Sequence, residues 1–350
     1  MTFLAGEKSE IVPYSNLSSL LKAEARRVGF ALAGVCRAEP PATWEYLRQW
    51  LDEGCAAEMH YLRDRRDALA HPRSVLPGVR SLVMVGLNYT SAEPNPARPG
   101  QGRVARYAWG TDYHTLVRRR LRRLEEVLLR ERPAAAVRGV VDTAPLLERD
   151  FAHAAGLGWF GKNTMLINET LGSRFFIGAI LTDVELEPDP PAADSRCGNC
   201  TACLEACPTG ALSAPFRLDA RKCLNYWTIE AKGPLPSEIR ARLGDRLFGC
   251  DVCGDVCPFN RNVRGSDDPG VQPREGLNPV DVIELFSLDE PTFRTRFRET
   301  PLWRAKRAGL LRNAAAVLAN RPTPEGLAAL RRGLNDADPE VRAACATAIK

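Results

Sequence analysis

The sequence predicts a fold in three parts: an α/β domain over residues 1–190, a domain that houses two [4Fe-4S] clusters over residues 191–275, and an α-helical domain over residues 276–350. In the first part, short apolar runs typical of buried strands alternate with helical patterns. In the second part, eight of the eleven cysteines of the chain are concentrated. In the third part only helical patterns remain, and 350 residues exceed what one ordinary domain requires.

The first part opens with a helix and contains three buried strands. The helix is predicted over residues 17–28 from its apolar spacing, with Ser15 or Asn16 as its cap and Gly29 as its stop. The strands are predicted over Ser81–Leu87, Arg138–Val141 and Phe175–Leu181.

Polar residues collect in three stretches of this part, over residues 106–114, 141–149 and 156–163. Asp142 directly follows an apolar run, at a strand end where functional carboxylates of α/β folds tend to lie. The alternative is that Asp142 caps a helix beginning after Pro145. His114 and His153 are candidate acid-base groups, although a single histidine is more often an ordinary hydrogen-bonded residue.

The third stretch, Gly156–Asn163, matches the nucleotide-binding pattern G-x-G-x-x-G literally. That pattern should follow a strand, whereas residues 149–155 have a helical pattern. Asn163 also stands where a P-loop requires Ser or Thr. We therefore expect a tight glycine turn beside a cofactor and no nucleotide site.

The cysteines of the second part form two runs of similar spacing. The runs are Cys197-x2-Cys200-x2-Cys203-x3-Cys207-Pro208 and Cys250-x2-Cys253-x3-Cys257-Pro258, with Cys223 alone between them. The first run is the bacterial ferredoxin pattern, in which the fourth cysteine ligates the other cluster. Crossing over in this way predicts a ferredoxin-like domain with two [4Fe-4S] clusters. One cluster takes Cys197, Cys200, Cys203 and Cys257, and the other takes Cys207, Cys223, Cys250 and Cys253.

Zinc and disulfides are the alternative explanations of this cysteine pattern. Structural zinc uses four-thiolate sites, but it does not call for a third thiol followed by x3-Cys-Pro. Disulfides form in oxidising compartments. The first residues carry no apolar signal segment, and no run is long enough to span a membrane. We therefore expect a cytoplasmic protein with reduced thiols and no membrane partner, in which Cys36, Cys55 and Cys345 fill the core.

Arginine dominates the positive charge, and the net charge is +5. One basic segment is Val117–Leu124, and the tail adds Arg304, Lys306, Arg307, Arg312, Arg331 and Arg332. Because guanidinium groups suit phosphate, two separate basic segments make nucleic acid a candidate partner. The alternative, which is the more common role of such a run, is a solvated helix face.

After a proline-bearing linker over Asn260–Pro279, the tail resembles HEAT repeats. Residues 312–319 and 336–344 have the patterns of HEAT helices, and the second includes the Asp-Pro-x-Val-Arg opening common in them. Such repeats need stacked neighbours to bury their apolar faces.

Taken together, these motifs resemble epoxyqueuosine reductases, the cobalamin-dependent iron-sulfur enzymes that complete queuosine in tRNA. The resemblance spans nearly the whole chain: the three polar stretches, the paired cysteine runs, the segment Cys223–Glu230 and the HEAT-like tail. One departure is His71, which stands where other members often carry an arginine or aspartate before proline. Arg65, Arg66 or Arg73 could supply a charge there.

The resemblance implies a base-off cobalamin between the first two domains and a tRNA that presents its modified wobble base to the cobalt. It makes Asp142 the proton donor, and an acid can act at neutral pH only if its pKa is raised, which we expect burial to do. Cobalamin contacts are expected from Tyr107, Arg149, Lys162, Asn163, Tyr226 and Thr228. An external electron donor and a monomeric state are also expected.

Two other classes compete with this interpretation. A corrinoid reductive dehalogenase would share the cobalamin and the clusters, but this chain lacks a twin-arginine signal and has a basic, repeat-like tail. A plain electron-transfer protein would leave roughly 190 residues before the clusters without a role, which is more than an ordinary domain.

Overall fold

The computed structural model describes residues 16–350. The strands are β1 Leu32–Arg37, β2 Ser81–Asn88, β3 Gln101–Val104, β4 Val137–Val140, β5 Trp159–Phe160, β6 Leu166–Ile167, β7 Phe175–Thr182, β8 Leu212–Ala214, β9 Arg217–Leu218, β10 Arg246–Phe248 and β11 Val280–Asp281. The helices of the first two parts are α1 Leu17–Arg27, α2 Trp44–Asp52, α3 His60–Asp64, α4 Arg66–Leu69, α5 Tyr113–Glu131, α6 Glu148–Ala154, α7 Ala202–Ala206, α8 Ser237–Leu243 and α9 Val252–Asp255. Those of the tail are α10 Val282–Leu285, α11 Glu290–Phe297, α12 Lys306–Asn320, α13 Pro324–Gly333 and α14 Pro339–Ile349.

The predicted first helix and all three predicted strands are confirmed. The Asn16 side chain caps α1 by accepting a hydrogen bond from the Ser19 amide, and Gly29 follows with a positive φ of 92°. Ser15, the alternative cap, lies outside the described residues. The strands form one four-stranded sheet in the order β1-β2-β7-β4.

Every neighbouring pair in this sheet is antiparallel. The rule that functional residues gather at the carboxyl ends of strands applies to parallel sheets, so it does not explain the position of Asp142. The cause is local: α5 runs back into β4 through a short turn and packs on it, so the first turn of α5 lies beside the end of β4. Gly178 of β7 permits this close packing, because a Cβ there would lie 2.7 Å from a methyl carbon of Val117.

A second, three-stranded sheet has the order β10-β3-β11. Its strands come from all three predicted parts, since β3 pairs in parallel with β10 and antiparallel with β11. The cluster region and the tail are therefore hydrogen-bonded directly to the first part of the chain.

The tail is α-helical, as predicted, and it docks through two fully buried polar residues of α12. Asn313 donates to the Thr228 and Leu247 carbonyls at 2.9 and 3.0 Å. Arg312, only 3% exposed, donates to the carbonyls of Trp227, Ala231 and Gly233.

Two residues of the predicted basic patch are therefore not available to nucleic acid. Arg312 is buried, and Arg307 forms an ion pair with Asp336 at 2.7 Å. The three isolated cysteines Cys36, Cys55 and Cys345 are buried, as expected. Within residues 16–350, the model has no helix with the length and apolar character of a membrane span.

Candidate functional site

Asp142 lies in a strained turn just after β4. Its φ is 55°, a left-handed conformation that is uncommon for a residue other than glycine. Its amide donates to the Glu148 carboxylate in the first turn of α6. The N-cap of α6 is Leu147, without a side-chain cap, so the helix-cap explanation of Asp142 is wrong.

The Asp142 carboxylate belongs to a network that includes the first turn of α5. The Tyr113 hydroxyl donates to Asp142 Oδ2 at 2.6 Å, and His114 Nε2 lies 3.2 Å from the same oxygen. The other ring nitrogen of His114, Nδ1, lies 2.8 Å from Asp112 Oδ1. Asp112 is also the N-cap of α5, accepting from the His114 amide. The cap therefore fixes the backbone and the ring of His114 together.

These contacts decide where protons reside. The Asp142 side chain is 53% exposed, yet protein atoms crowd its carboxyl group; this burial alone would raise its pKa, but hydrogen bonds from His114 and Tyr113 outweigh it and lower the pKa. Burial lowers the pKa of His114, whereas hydrogen bonds to Asp112 and Asp142 raise it more, to about 9. Burial and the charge of Asp142 raise the pKa of Glu148 to about 8.

At neutral pH, His114 and Glu148 therefore hold the protons and Asp142 is ionised. The expectation that burial raises the pKa of Asp142 is wrong for this arrangement. The reason is that the sequence gives no indication of the two hydrogen-bond donors that converge on the carboxylate.

A recess beside this network is lined by polar groups that lack protein partners. The hydroxyls of Tyr89 and Tyr107 make no hydrogen bond within residues 16–350, although burial strongly raises the pKa of both. The Arg149 guanidinium is exposed, and its one polar contact in the described chain is Met165 Sδ at 3.9 Å. Tyr107 also packs near Gly249, next to Cys250. The recess thus joins the Asp142 network to the cysteine region.

The first predicted cluster set lines one cavity of about 190 Å³. Its wall includes Cys197, Cys200, Cys203 and Cys257. The two runs meet because α7 packs against α9, and this packing carries Cys257 of the second run to the first. Within residues 16–350 no compact set of three His, Cys, Asp or Glu side chains suits a single metal ion.

The second predicted set also converges. Burial raises the pKa of the Cys223 thiol, and the charges of the nearby Cys250 and Cys207 add to the effect. Cys253 is affected by burial and then by Cys250, Cys223 and Cys207. The isolated Cys223 thus lies with the second run and with the last cysteine of the first.

Lys162 and Asn163 contact the cysteine loops. Lys162 Nζ donates to the carbonyls of Gly198 and Cys200 at 2.7 and 3.0 Å, and both residues line the cavity of the first cysteine set. The glycine stretch follows α6 and enters the β5–β6 hairpin, in agreement with the expectation of a turn without a nucleotide. Gly158 is required there, since a Cβ would lie 2.3 Å from the Ile167 carbonyl oxygen.

Thr228 does not fit the predicted cobalamin contact. It is 0% exposed, and its hydroxyl donates to the Leu224 carbonyl at 2.6 Å and accepts from the Gly249 amide at 3.0 Å. Tyr226 is 5% exposed, and its hydroxyl accepts from the Glu58 amide. Both residues support the short π-helix Tyr226–Glu230 from within the core.

Sequence reasoning missed Tyr113, Glu148 and Tyr89 as residues of the site. Tyr113 and Glu148 each stand in the first turn of a helix that begins beside Asp142. Their signal was present in the polar stretches, but only the packing of α5 and α6 gives it meaning.

Two family models match the chain. Residues 196–260 match a 4Fe-4S double cluster binding domain, and residues 70–143 match the model described as epoxyqueuosine reductase QueG, DUF1730. The chain is thus similar to a defined family over both its cluster region and the segment that carries Asp142.

Whole-chain comparisons agree. The chain is 39% identical over 313 residues to the epoxyqueuosine reductase of Pseudomonas aeruginosa, covering 88% of this chain and 87% of that protein. It is 43% identical over 319 residues to the epoxyqueuosine reductase of Synechococcus sp. (strain CC9605), covering 89% and 97%. A crystal structure of epoxyqueuosine reductase with a tRNA-Tyr epoxyqueuosine-modified stem loop superposes with a TM-score of 0.89 at 29% identity, covering 95% of this chain and 90% of that one. On this evidence, the chain belongs to the epoxyqueuosine reductase family.

Proposed function

We propose that this protein reduces epoxyqueuosine to queuosine at the wobble position of tRNA. The observation that carries the proposal is the hydrogen-bonded network around Asp142, which adjoins both the recess and the cysteine loops. Converting an epoxide to an alkene consumes two electrons and two protons and releases water. The reaction therefore needs a proton source and an electron route at one place.

Cobalamin fits the recess. A corrinoid carries many amide oxygens, and the hydroxyls of Tyr89 and Tyr107 and the Arg149 guanidinium are donors without protein acceptors. We propose that these three residues hold it. When bound, it supplies in its cob(I) form the strong nucleophile that opens the epoxide.

The eight clustered cysteines fit two [4Fe-4S] clusters, which transfer electrons one at a time from an external donor. Lys162 braces the loop of the first set through two backbone carbonyls. Tyr107, packed near Gly249, lies between the second set and the recess. This order supports a route from the clusters to the cofactor.

Asp142 is the proposed proton donor, resupplied by its neighbours. As the epoxide opens, negative charge develops on oxygen, and a nearby acid stabilises it. The Asp142 carboxylate receives a proton from His114, whose cationic form is held by Asp112. Tyr113 fixes the orientation of the carboxylate at 2.6 Å.

The proposed substrate is the anticodon loop of tRNA. The related structure that holds a tRNA stem loop supports this. Proteins usually read RNA through unpaired bases in loops, by stacking and edge contacts. The boundaries at residues 190 and 275, the HEAT-like nature of the tail, and a monomeric state remain predictions.

The test is single-turnover conversion of epoxyqueuosine in tRNA by anaerobically reconstituted protein that carries iron and cobalamin. Conversion together with tRNA binding that salt weakens is expected. Fully loaded protein that binds the tRNA without converting it, or that does not bind it, would overturn the proposal.

The bound cobalamin should be base-off without a histidine ligand. Both ring nitrogens of His114 are engaged by carboxylates, and His153 Nδ1 lies 3.0 Å from the Gly158 carbonyl oxygen. Electron paramagnetic resonance of the cob(II)alamin state should therefore lack hyperfine splitting from a coordinated nitrogen. Such splitting would contradict the prediction.

His114→Gln should change the pH dependence of turnover. In the native protein, the network holds its proton until pH rises through about 9, so the single-turnover rate should be level below that pH and fall above it. Glutamine cannot hold the proton, so the fall should begin below pH 7. A variant whose rate still falls only near pH 9 would remove His114 from the proton path.

A further inference from the structure

Two arginines from different elements hold the residue that follows Asp142. Arg65, between α3 and α4, donates from Nη1 to the Thr143 carbonyl at 3.0 Å. Arg118, in the second turn of α5, donates from Nη2 to the Thr143 hydroxyl at 3.1 Å. A guanidinium has five N–H donors, so most of the donors of each arginine remain available.

Both arginines lack an acidic partner. Within residues 16–350, no carboxylate oxygen lies within 4.0 Å of a side-chain nitrogen of Arg65 or Arg118. Their neighbours differ, since Arg66 pairs with Asp52 at 3.7 Å and Arg120 pairs with Asp268. Both Arg65 and Arg118 are exposed. Two uncompensated positive charges thus converge on an uncharged residue at the reacting turn.

An exposed aromatic ring belongs to the same surface. Tyr61 is 40% exposed, and its hydroxyl lies within the electrostatic influence of Arg65, Asp142 and Arg304. A ring available for stacking beside guanidinium groups is the combination that binds single-stranded RNA. Arginine also matches phosphate through its planar pair of donors.

We propose that Arg65 and Arg118 bind one backbone phosphate of the tRNA loop, next to the nucleotide presented to Asp142. The inference rests on the proposed function and adds the residues that set the register of the RNA. Phosphate contacts fix position and orientation, whereas base contacts supply sequence specificity. Because the same arginines hold Thr143, binding of the phosphate also fixes the turn that carries Asp142.

The experiment measures the dissociation constant of an epoxyqueuosine-modified anticodon stem loop over a salt series. Arg65→Gln and Arg118→Gln should each weaken binding roughly tenfold. Each should also lower the slope of log K against log salt, the double variant by about 0.7 for the one phosphate lost. Arg119→Gln, an exposed neighbour of Arg118 on α5, is the matched control and should leave the constant and the slope unchanged.

Thr143→Val separates phosphate binding from simple support of the turn. It removes the hydroxyl that Arg118 contacts but keeps both positive charges, so the slope should stay at the native value. The inference fails if Thr143→Val reproduces the arginine variants, or if those variants bind with the native constant and slope. Native protein that does not bind the stem loop would instead reject the proposed function.

Discussion

Asp142→Asn should retain cofactor and tRNA while its single-turnover rate falls roughly 10²–10⁴-fold. Asparagine keeps the size of the side chain and can still accept from Tyr113, but it cannot pass on a proton. The structure excludes helix capping, so no mild effect of that kind is expected. The measurement is conversion of epoxyqueuosine in tRNA, with cobalamin content and tRNA affinity determined on the same samples.

Two variants control for the shape of the site. Tyr113→Phe removes the 2.6 Å hydrogen bond to Asp142 but leaves the acid, so its rate should fall much less than that of Asp142→Asn. Glu148→Gln keeps an acceptor for the Asp142 amide and tests whether the neutral carboxyl matters. Near-native conversion by Asp142→Asn would remove Asp142 from the mechanism.

Cys223→Ala should lose one cube and keep the other, so that iron falls from about eight to about four atoms per chain. Turnover should be lost with the cube because the electron route is broken. Iron analysis and electron paramagnetic resonance after anaerobic reconstitution measure this. Cys36→Ala is the matched control, since Cys36 is buried beside the main sheet and should keep all the iron.

A double variant tests the crossed ligand sets. If Cys207 and Cys223 serve the same cube, removing both should still leave about four irons. If Cys207 instead serves the first run, the double variant should lose both cubes. Stoichiometric zinc without iron would end the cluster interpretation altogether.

The elements of this fold could be predicted where short-range pattern decides them. Asn16, the apolar spacing of α1 and the continuous apolar runs of β2 and β7 act over a few residues, and the structure has these elements at the expected positions. Strand direction depends on which strands become neighbours, which no single run encodes. The antiparallel sheet was therefore not foreseen.

The residues of the candidate site divide in the same way. The chemistry of a thiol or a carboxylate belongs to the residue, so the cysteines and Asp142 could be selected from type and spacing. The environment belongs to the packing, and it reversed two expectations. Thr228 is fully buried with its hydroxyl satisfied, and the pKa of Asp142 is lowered.

By itself, the sequence determined the cysteine spacing, the position of Asp142 after a strand and the resemblance to one family, because these are properties of residues in order. The tertiary structure decided which groups meet. Packing of α5 on β4 brings His114 and Tyr113 to Asp142, and packing of α7 on α9 brings Cys257 to the first run. Protonation follows from such contacts, since hydrogen bonds and burial act over a few ångströms between residues far apart in the chain.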